Sequence, residues 1–370
     1  MENQLPAVLV LENGEVYHGF AFGDTSVETS GEVVFNTAMA GYEEVLTDPS
    51  YKGQIVVFTY PMIGNYGITK QDEESSSIHL EGIVVKEYSK NYSNWRAVTS
   101  LDAYLKEHKK IGIEGIDTRK LVRSVRSAGT LRGIITTSTQ EIETLISVVK
   151  NLPSMEGQNL SIDVARTSIE KHSPNGDSKY TVALIDFGLK NAILHNLLLR
   201  NCEVLIVPGS INYDELSALK VDGIFISNGP GDPAAMTNEI ELIKRIITTM
   251  DIPTYGICLG HQLLGLAFGA TTFKMKYGHH GVNHPIKNII HQTIEITSQN
   301  HGFAVKTETL PAEIEQTHIN LNDGTLAGLQ HKTKPIASVQ YHPESSPGPH
   351  DSWYFFDQFV AELAKNKEKK

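Results

Sequence analysis

The pattern of apolar and polar positions divides the chain into two parts. The first part opens with two apolar runs on either side of an Asn13-Gly14 pair, which is a strong signal for a β-hairpin. Further strand-like runs follow, separated by turns rich in Gly, Pro and Ser, with helical patterns at about 99–109 and 117–127. We therefore expect a small mixed α+β domain over residues 1–152.

The second part alternates wholly apolar strands with helical segments. The runs YTVALIDF, CEVLIVP, DGIFISN and PTYGIC are each followed by a helical pattern. Strands that are apolar on both faces are typical of a parallel sheet covered by helices on both sides. We expect an α/β domain over residues 179–370, with a mostly parallel sheet flanked by helices. Ligands in such folds bind at the carboxyl ends of the strands.

The segment between these two parts, residues 153–178, has no sustained hydrophobic period. It ends in SPNGDSK, a cluster of turn-forming residues. The pattern predicts a linker between the domains.

Composition excludes several classes of protein. The 370 residues include 32 basic and 43 acidic side chains, a formal charge of −11, which argues against a nucleic-acid or acidic-membrane binder. No run of about 18 apolar residues is available to span a membrane, and the N-terminus has no signal-peptide pattern. Two cysteines, Cys202 and Cys258, exclude a disulfide framework and indicate a reducing compartment. We expect a soluble, cytoplasmic protein.

The strongest chemical signal is the G-x-C-x-G sequence formed by Gly256, Cys258 and Gly260, between a predicted strand and a predicted helix. It is the thiol counterpart of the nucleophile elbow, in which the turn leaves no room for neighbouring side chains. A helix N-terminus favours the thiolate, and the N–H of Leu259 could hold an oxyanion. The alternative, a buried structural cysteine, fits Cys202 better.

A cysteine nucleophile needs a base that is itself oriented by a third group. His342 follows the strand-like run IASVQY, and Glu344 lies two residues further on. Glu344 can accept a hydrogen bond from the imidazole and stabilise its charged form. The H-P-E sequence is weak by itself, but it becomes a strong signal beside a cysteine elbow.

Two further segments have less specific patterns. The loop NGPGDP, residues 228–233, can bring backbone N–H groups to a ligand, or it can be an ordinary turn. It is too short to be a P-loop and has no lysine.

The histidines of GHHGVNH, residues 278–284, could bind a metal, but the glycines favour an irregular surface loop and we predict no metal site. We expect His261 to be structural.

Three motifs together resemble a known family. NGPGDP, GICLGHQ and QYHPE, in that order, closely resemble the class I (triad) glutamine amidotransferase domain. In the first part, GEVVFNTAMAGYEEVLTDPSYKGQIVVFTYPMIGNYG and GIDTRKLVR are similar to the small subunit of carbamoyl phosphate synthetase. The resemblance covers nearly the whole chain.

The resemblance implies a catalytic triad of Cys258, His342 and Glu344. It also implies contacts with the substrate L-glutamine, of which Ser50 and the QNHGF residues rest on the resemblance alone. The implied contact residues are Ser50, Gly229, Gly231, Leu259, Gln262, Asn300, Gly302 and Phe303.

The implied activity is hydrolysis of glutamine through a cysteine thioester. The ammonia would pass to a large subunit, which makes carbamoyl phosphate from bicarbonate and ATP for arginine and pyrimidine synthesis. The implied assembly is a heterodimer or a higher oligomer of heterodimers. We expect no cofactor on this chain, with ATP, Mg and bicarbonate bound by the large subunit.

Three other functions remain open at this point. A cysteine hydrolase such as a peptidase could use the same elbow. A non-catalytic scaffold is disfavoured by the intact Cys, His and Glu, and a glutaminase serving another synthase is disfavoured by the N-terminal domain.

Overall fold

A computed structural model describes residues 5–369 and divides the chain into two units. The N-terminal unit runs to Met155 and also includes Lys276–Gly281. The C-terminal unit comprises Glu156–Met275 and the residues from Val282 onward. Residues 1–4 and 370, at the outer ends of the two predicted domains, lie outside the described residues.

The N-terminal unit contains a closed seven-stranded barrel, a two-stranded sheet and four α-helices among the described residues. Its strands are β1 (Pro6–Leu11), β2 (Val16–Gly23), β3 (Thr29–Asn36), β4 (Gln54–Phe58), β5 (Met62–Ile63), β6 (Gly82–Val84), β7 (Glu87–Tyr88), β8 (Ile111–Glu114) and β9 (Leu131–Thr136). Its helices are α1 (Tyr42–Thr47), α2 (Leu101–Glu107), α3 (Thr118–Ala128) and α4 (Ile142–Lys150).

The barrel closes because the first and last strands of the unit pair with each other. The strand order is β1-β2-β8-β6-β4-β3-β9, and β9 pairs antiparallel with β1. The predicted hairpin is confirmed, since β1 and β2 pair antiparallel around the turn that holds Gly14, whose φ is 89°. The two predicted helical patterns are α2 and α3. The unit is therefore mixed α+β, and its closure into a barrel was not predicted.

The C-terminal unit contains one ten-stranded sheet with helices on both faces. Its strands are β10 (Glu170–His172), β11 (Tyr180–Asp186), β12 (Cys202–Pro208), β13 (Gly223–Ile226), β14 (Thr254–Ile257), β15 (Thr272–Asn288), β16 (Thr293–Val305), β17 (Ile314–Asn320), β18 (Leu326–His331) and β19 (Ile336–Val339). Its helices are α5 (Asn191–Leu199), α6 (Tyr213–Ala218), α7 (Thr237–Thr249), α8 (Leu259–Ala267) and α9 (Tyr354–Glu368).

Five adjacent strands of this sheet are parallel, in the order β12-β11-β13-β14-β19. Successive side chains of a strand point to opposite faces, so Val182 and Leu184 pack on one side while Ala183 and Ile185 pack on the other. Helices α5 and α9 cover the first side, and α6, α7 and α8 cover the second. The predicted α/β architecture is confirmed for these strands. The strands β18, β17 and β15 extend the sheet by antiparallel pairing, and β16 lies next to β15 at the edge.

Two expectations from the sequence are wrong. Much of the predicted linker, residues 153–178, belongs to the C-terminal unit: β10 pairs antiparallel with β12, and the N–H of Gly157 donates to Asp232. Polar edge strands lack the apolar run that would reveal them. The predicted surface loop at residues 278–284 lies within β15, with His279 and His280 buried.

Two further properties concern membranes and metals. Among the described residues, no helix is long and apolar enough to cross a membrane. Within residues 5–369, no cluster of three or more His, Cys, Asp and Glu side chains is placed to hold a metal ion.

The aromatic contacts of α9 predict a large effect on stability. Phe359 is fully buried, and its ring lies 5.1 Å from that of Phe225 and 5.1 Å from that of Tyr255. We expect Phe359→Ala to destabilise the C-terminal unit by about 3–5 kcal/mol, because a cavity would remain. Urea unfolding followed by circular dichroism measures the change. Gln358→Ala, at the exposed neighbouring position, should have little effect, and equal unfolding midpoints for the two variants would contradict this packing.

Candidate active site

Cys258 lies in the turn between β14 and α8 and has a φ of 53°. A positive φ is strained for a residue with a side chain and is often found at functional sites. The flanking glycines have no room for a side chain. A Cβ on Gly260 would lie 2.5 Å from the Ile226 carbonyl oxygen, and one on Gly256 would lie 2.8 Å from Gly260. The predicted tight elbow is confirmed.

The predicted base and the predicted nucleophile are brought together by adjacent strands. β14 pairs in parallel with β19, so Ile257 lies opposite Val339, and the N–H of Cys258 donates to the Val339 carbonyl at 2.9 Å. The chain reaches His342 three residues beyond Val339. The backbone N–H of His342 donates to Ser298 of β16 at 2.9 Å, which fixes the base at the carboxyl end of the sheet.

Glu344 orients His342 as predicted. The Nδ1 of His342 donates to Oε1 of Glu344 at 2.6 Å, and both side chains are buried. This bond leaves Nε2 as the ring nitrogen that can exchange a proton with a reacting group. Within the described residues Nε2 has no hydrogen-bond partner.

Lys190 is a further member of the site that sequence reasoning missed. Its Nζ donates to Oε1 of Glu344 at 3.0 Å and to the Ser345 carbonyl at 2.7 Å, and its side chain is only 3% exposed. The residue lies just beyond β11, at the carboxyl end where ligands were expected. Lys190 stands among apolar residues in the sequence, and this could have revealed it. A lysine in an apolar segment is expected to be buried only if it is paired with an acidic group.

The buried charges control one another. Burial alone would lower the pKa of His342, but the charges of Glu344 and Cys258 together raise it to about 10. Burial alone would raise the pKa of Glu344, but Lys190 and His342 lower it to about 2. Both shifts favour a protonated His342 beside an ionised Glu344, and a protonated imidazole stabilises a neighbouring thiolate.

The glycine loop contacts the start of α8. A Cβ on Gly229 would lie 2.1 Å from the Phe187 carbonyl oxygen and 2.8 Å from Leu259, so only glycine fits there. Gly231 has a φ of 100°, a conformation that favours glycine. Leu259 is the first residue of its helix, so its N–H has no partner within the helix. These positions suit the predicted oxyanion site, and the roles of Gly229, Gly231 and Leu259 stay predictions.

The other residues of the C-terminal unit that are predicted to contact glutamine lie near Cys258. Its Sγ lies 3.5 Å from the Asn300 carbonyl oxygen, and the side chain of Gln262 donates to the Phe303 carbonyl at 2.7 Å. A Cβ on Gly302 would meet no atom within 4 Å, so open space lies beside this backbone. Ser50 belongs to the N-terminal unit, where its N–H donates to Asp48 at 2.9 Å. The glutamine-binding roles of these residues stay predictions.

His261 has the environment of a structural residue. It is fully buried, its Nδ1 bonds to Ser338 at 2.9 Å, and burial lowers the pKa of its imidazole to about 3. A neutral histidine with a fixed partner fits the structural role expected for it.

Comparison with known proteins gives matches over both units. Residues 9–135 match the family model of the carbamoyl-phosphate synthase small chain, CPSase domain, and residues 183–362 match that of class I glutamine amidotransferase. The chain is 51% identical to the carbamoyl phosphate synthase small chain of Chlorobaculum tepidum, covering 98% of this chain and 99% of that protein. The small chain of Aquifex aeolicus is 48% identical, covering 96% of this chain and 98% of that protein.

This chain belongs to the carbamoyl phosphate synthase small chain family. The small chain of Synechococcus sp. is a further relative, 49% identical over 96% of this chain and 93% of that protein. Membership in this family agrees with the resemblance found in the sequence motifs. It also accounts for the amidotransferase elbow and the N-terminal domain occurring in one chain.

The two cysteines should differ in reactivity. Burial raises the pKa of the Cys202 thiol to about 12, whereas Cys258 lies beside the protonated His342. We expect iodoacetamide near pH 8 to label Cys258 at least about a hundredfold faster than Cys202. Peptide mapping of the native protein measures both rates. Similar labelling of the two cysteines would contradict an activated thiolate, and Cys202→Ser should leave the labelling rate of Cys258 unchanged.

The charge of Glu344 should determine the pH range of the base. In Glu344→Gln the carboxylate whose charge helps to raise the pKa of His342 is absent, so that pKa falls. The high-pH limb of the kcat/KM profile for glutamine should move to lower pH, and kcat at neutral pH should fall by about tenfold or more.

Glutaminase assays across pH on correctly folded protein test this shift. Glu362→Gln, which changes a carboxylate on the surface of α9, is the matched control. An unchanged profile in Glu344→Gln would mean that Glu344 does not control the protonation of His342.

Proposed function

We propose that this chain is the glutaminase subunit of a glutamine-hydrolysing carbamoyl phosphate synthase. The observation that carries the proposal is the hydrogen-bonded His342 and Glu344 at the strand end next to Cys258, in a member of the small chain family. A nucleophile, a base and an orienting carboxylate are the parts that hydrolysis of an amide requires.

The reaction begins with attack of the Cys258 thiolate on the side-chain amide carbon of glutamine. The oxyanion that forms is stabilised by backbone N–H groups, for which Leu259 and Gly231 are the candidates. Protonated His342 gives its proton to the leaving nitrogen, so ammonia departs and a glutamyl thioester remains. Neutral His342 then accepts a proton from water, the water oxygen attacks the thioester, and glutamate and the thiol are released.

The ammonia product implies a second protein. A small chain implies a large-chain partner, and we propose that the large chain binds ATP, Mg and bicarbonate and uses the ammonia to make carbamoyl phosphate. We also propose that the two chains form a heterodimer or a higher oligomer of it. The products would serve arginine and pyrimidine synthesis in the cytoplasm, where the two free cysteines are compatible with a reducing environment.

The division of labour predicts a selective loss in Cys258→Ser. The complex of this variant with the large chain should lose glutamine-dependent synthesis by about a thousandfold or more, since the nucleophile is gone. Synthesis from free ammonia should remain near the unmodified rate. Both rates are measured as carbamoyl phosphate formed, on complexes shown to be assembled. Cys202→Ser is the matched control and should retain both activities.

Two results would contradict the proposal. Loss of ammonia-dependent synthesis in an assembled Cys258→Ser complex would mean that this chain does more than supply ammonia. Cleavage of peptides by the unmodified protein, without release of ammonia from glutamine, would favour a cysteine peptidase instead.

A further inference from the structure

The side-chain amide of Gln262 is held in one orientation by two acceptors. Its Nε2 donates to the Phe303 carbonyl at 2.7 Å and to Oε1 of Gln340 at 3.2 Å. A primary amide has two N–H donors, so these two bonds use both of them. If the amide were reversed, its oxygen would face two other oxygens and no hydrogen bond could form.

This orientation leaves Oε1 of Gln262 available. Within the described residues this oxygen accepts no hydrogen bond. It is also not among the fully buried polar atoms that lack a partner, so it keeps some contact with solvent. Gln262 lies on the first turn of α8, whose N-terminus holds Cys258, and Phe303 lies on β16 three residues beyond Asn300. The free acceptor therefore belongs to the surroundings of the nucleophile.

Gln340 holds the Gln262 amide in this orientation, but its own side-chain nitrogen then lacks a hydrogen bond. It is 1% exposed, and its Nε2 has no partner within residues 5–369. A buried donor without a partner destabilises a protein and calls for an explanation. Turning the Gln340 amide around would give Gln262 a second donor instead of an acceptor. Nε2 of Gln340 thus lacks a partner because Oε1 of the same amide accepts the hydrogen bond from Gln262.

An acceptor oxygen and a donor nitrogen select different ligands. An oxygen facing a binding site stabilises an ammonium group and repels a carboxylate, and an N–H has the opposite preference. Glutamine carries an α-ammonium group. The analogue glutaramate has the same side-chain amide and carboxylate but lacks the amino group.

We propose that Gln340 is a positioning residue that holds Gln262 with its oxygen toward the substrate, and so makes the site select the α-ammonium group of glutamine. This inference rests on the proposed glutaminase function. Gln340 does not touch the substrate in this account, since it acts through Gln262.

The test compares two substitutions in the complex with the large chain. Gln340→Met keeps the side-chain length but has no oxygen, so Gln262 loses one of its two acceptors. We expect KM for glutamine to rise about tenfold, kcat to stay within about threefold, and the preference for glutamine over glutaramate to fall about tenfold. Gln340→Glu, ionised or protonated, keeps an oxygen for Gln262 and should retain most of the preference.

The control and the opposing outcomes separate positioning from general damage. Gln316→Met removes a glutamine from β17 whose side chain donates to the His318 carbonyl at 3.3 Å, and it should leave the preference unchanged. An unchanged preference in Gln340→Met, or an equal loss in Gln340→Glu, would overturn the inference. Absence of glutaminase activity in the unmodified complex would instead refute the proposed function.

Discussion

The parallel pairing of β14 with β19 is the interaction on which the site depends. It places Ile257 opposite Val339 and ties the backbone of Cys258 to the strand that leads to His342. Because both strands are buried between two helical layers, their register is fixed by packing on both faces. The nucleophile and the base thus meet although they are separated by a long stretch of sequence.

The close approach of the neighbouring strand ends explains why the segments around the elbow carry glycine. Ile226 of β13 lies beside the elbow, and its carbonyl leaves no space for a Cβ on Gly260. The loop after β13 approaches Phe187 and Leu259 so closely that a side chain at Gly229 would overlap both. The same closeness places the glycine loop against Leu259, the first residue of α8.

Opposite charges alternate through the buried part of the site. Lys190 contacts Glu344, Glu344 contacts His342, and the charge of Cys258 contributes to the protonation of His342. A single buried charge would destabilise the folded protein, whereas each of these charged groups is stabilised by its neighbours. The result is that the charges of Glu344 and Cys258 raise the pKa of a histidine that burial alone would keep neutral.

Features that depend on local sequence could be predicted, whereas distant pairings could be predicted only where a motif marked both partners, as at Cys258 and His342. The glycines lie within two residues of Cys258, and Glu344 lies two residues from His342. Short sequence motifs therefore predicted both features. Lys190 lies 154 residues from Glu344, and no local pattern connects them. The strand at residues 278–284 was mistaken for a loop because its glycines and histidines hide the period-two alternation. Gln340 lies within the QYHPE motif, but its role is visible only through its contact with Gln262.

Direct detection of the glutamyl thioester tests the central claim, that the elbow, the base and the carboxylate form one hydrolytic site. The complex is mixed with glutamine, quenched in acid within the turnover time, and digested for peptide mass spectrometry. The account predicts one γ-glutamyl group on the peptide containing Cys258, and none on the peptide containing Cys202. Glutamine hydrolysis at a normal rate with no adduct on Cys258, or with an adduct on another residue, would contradict it.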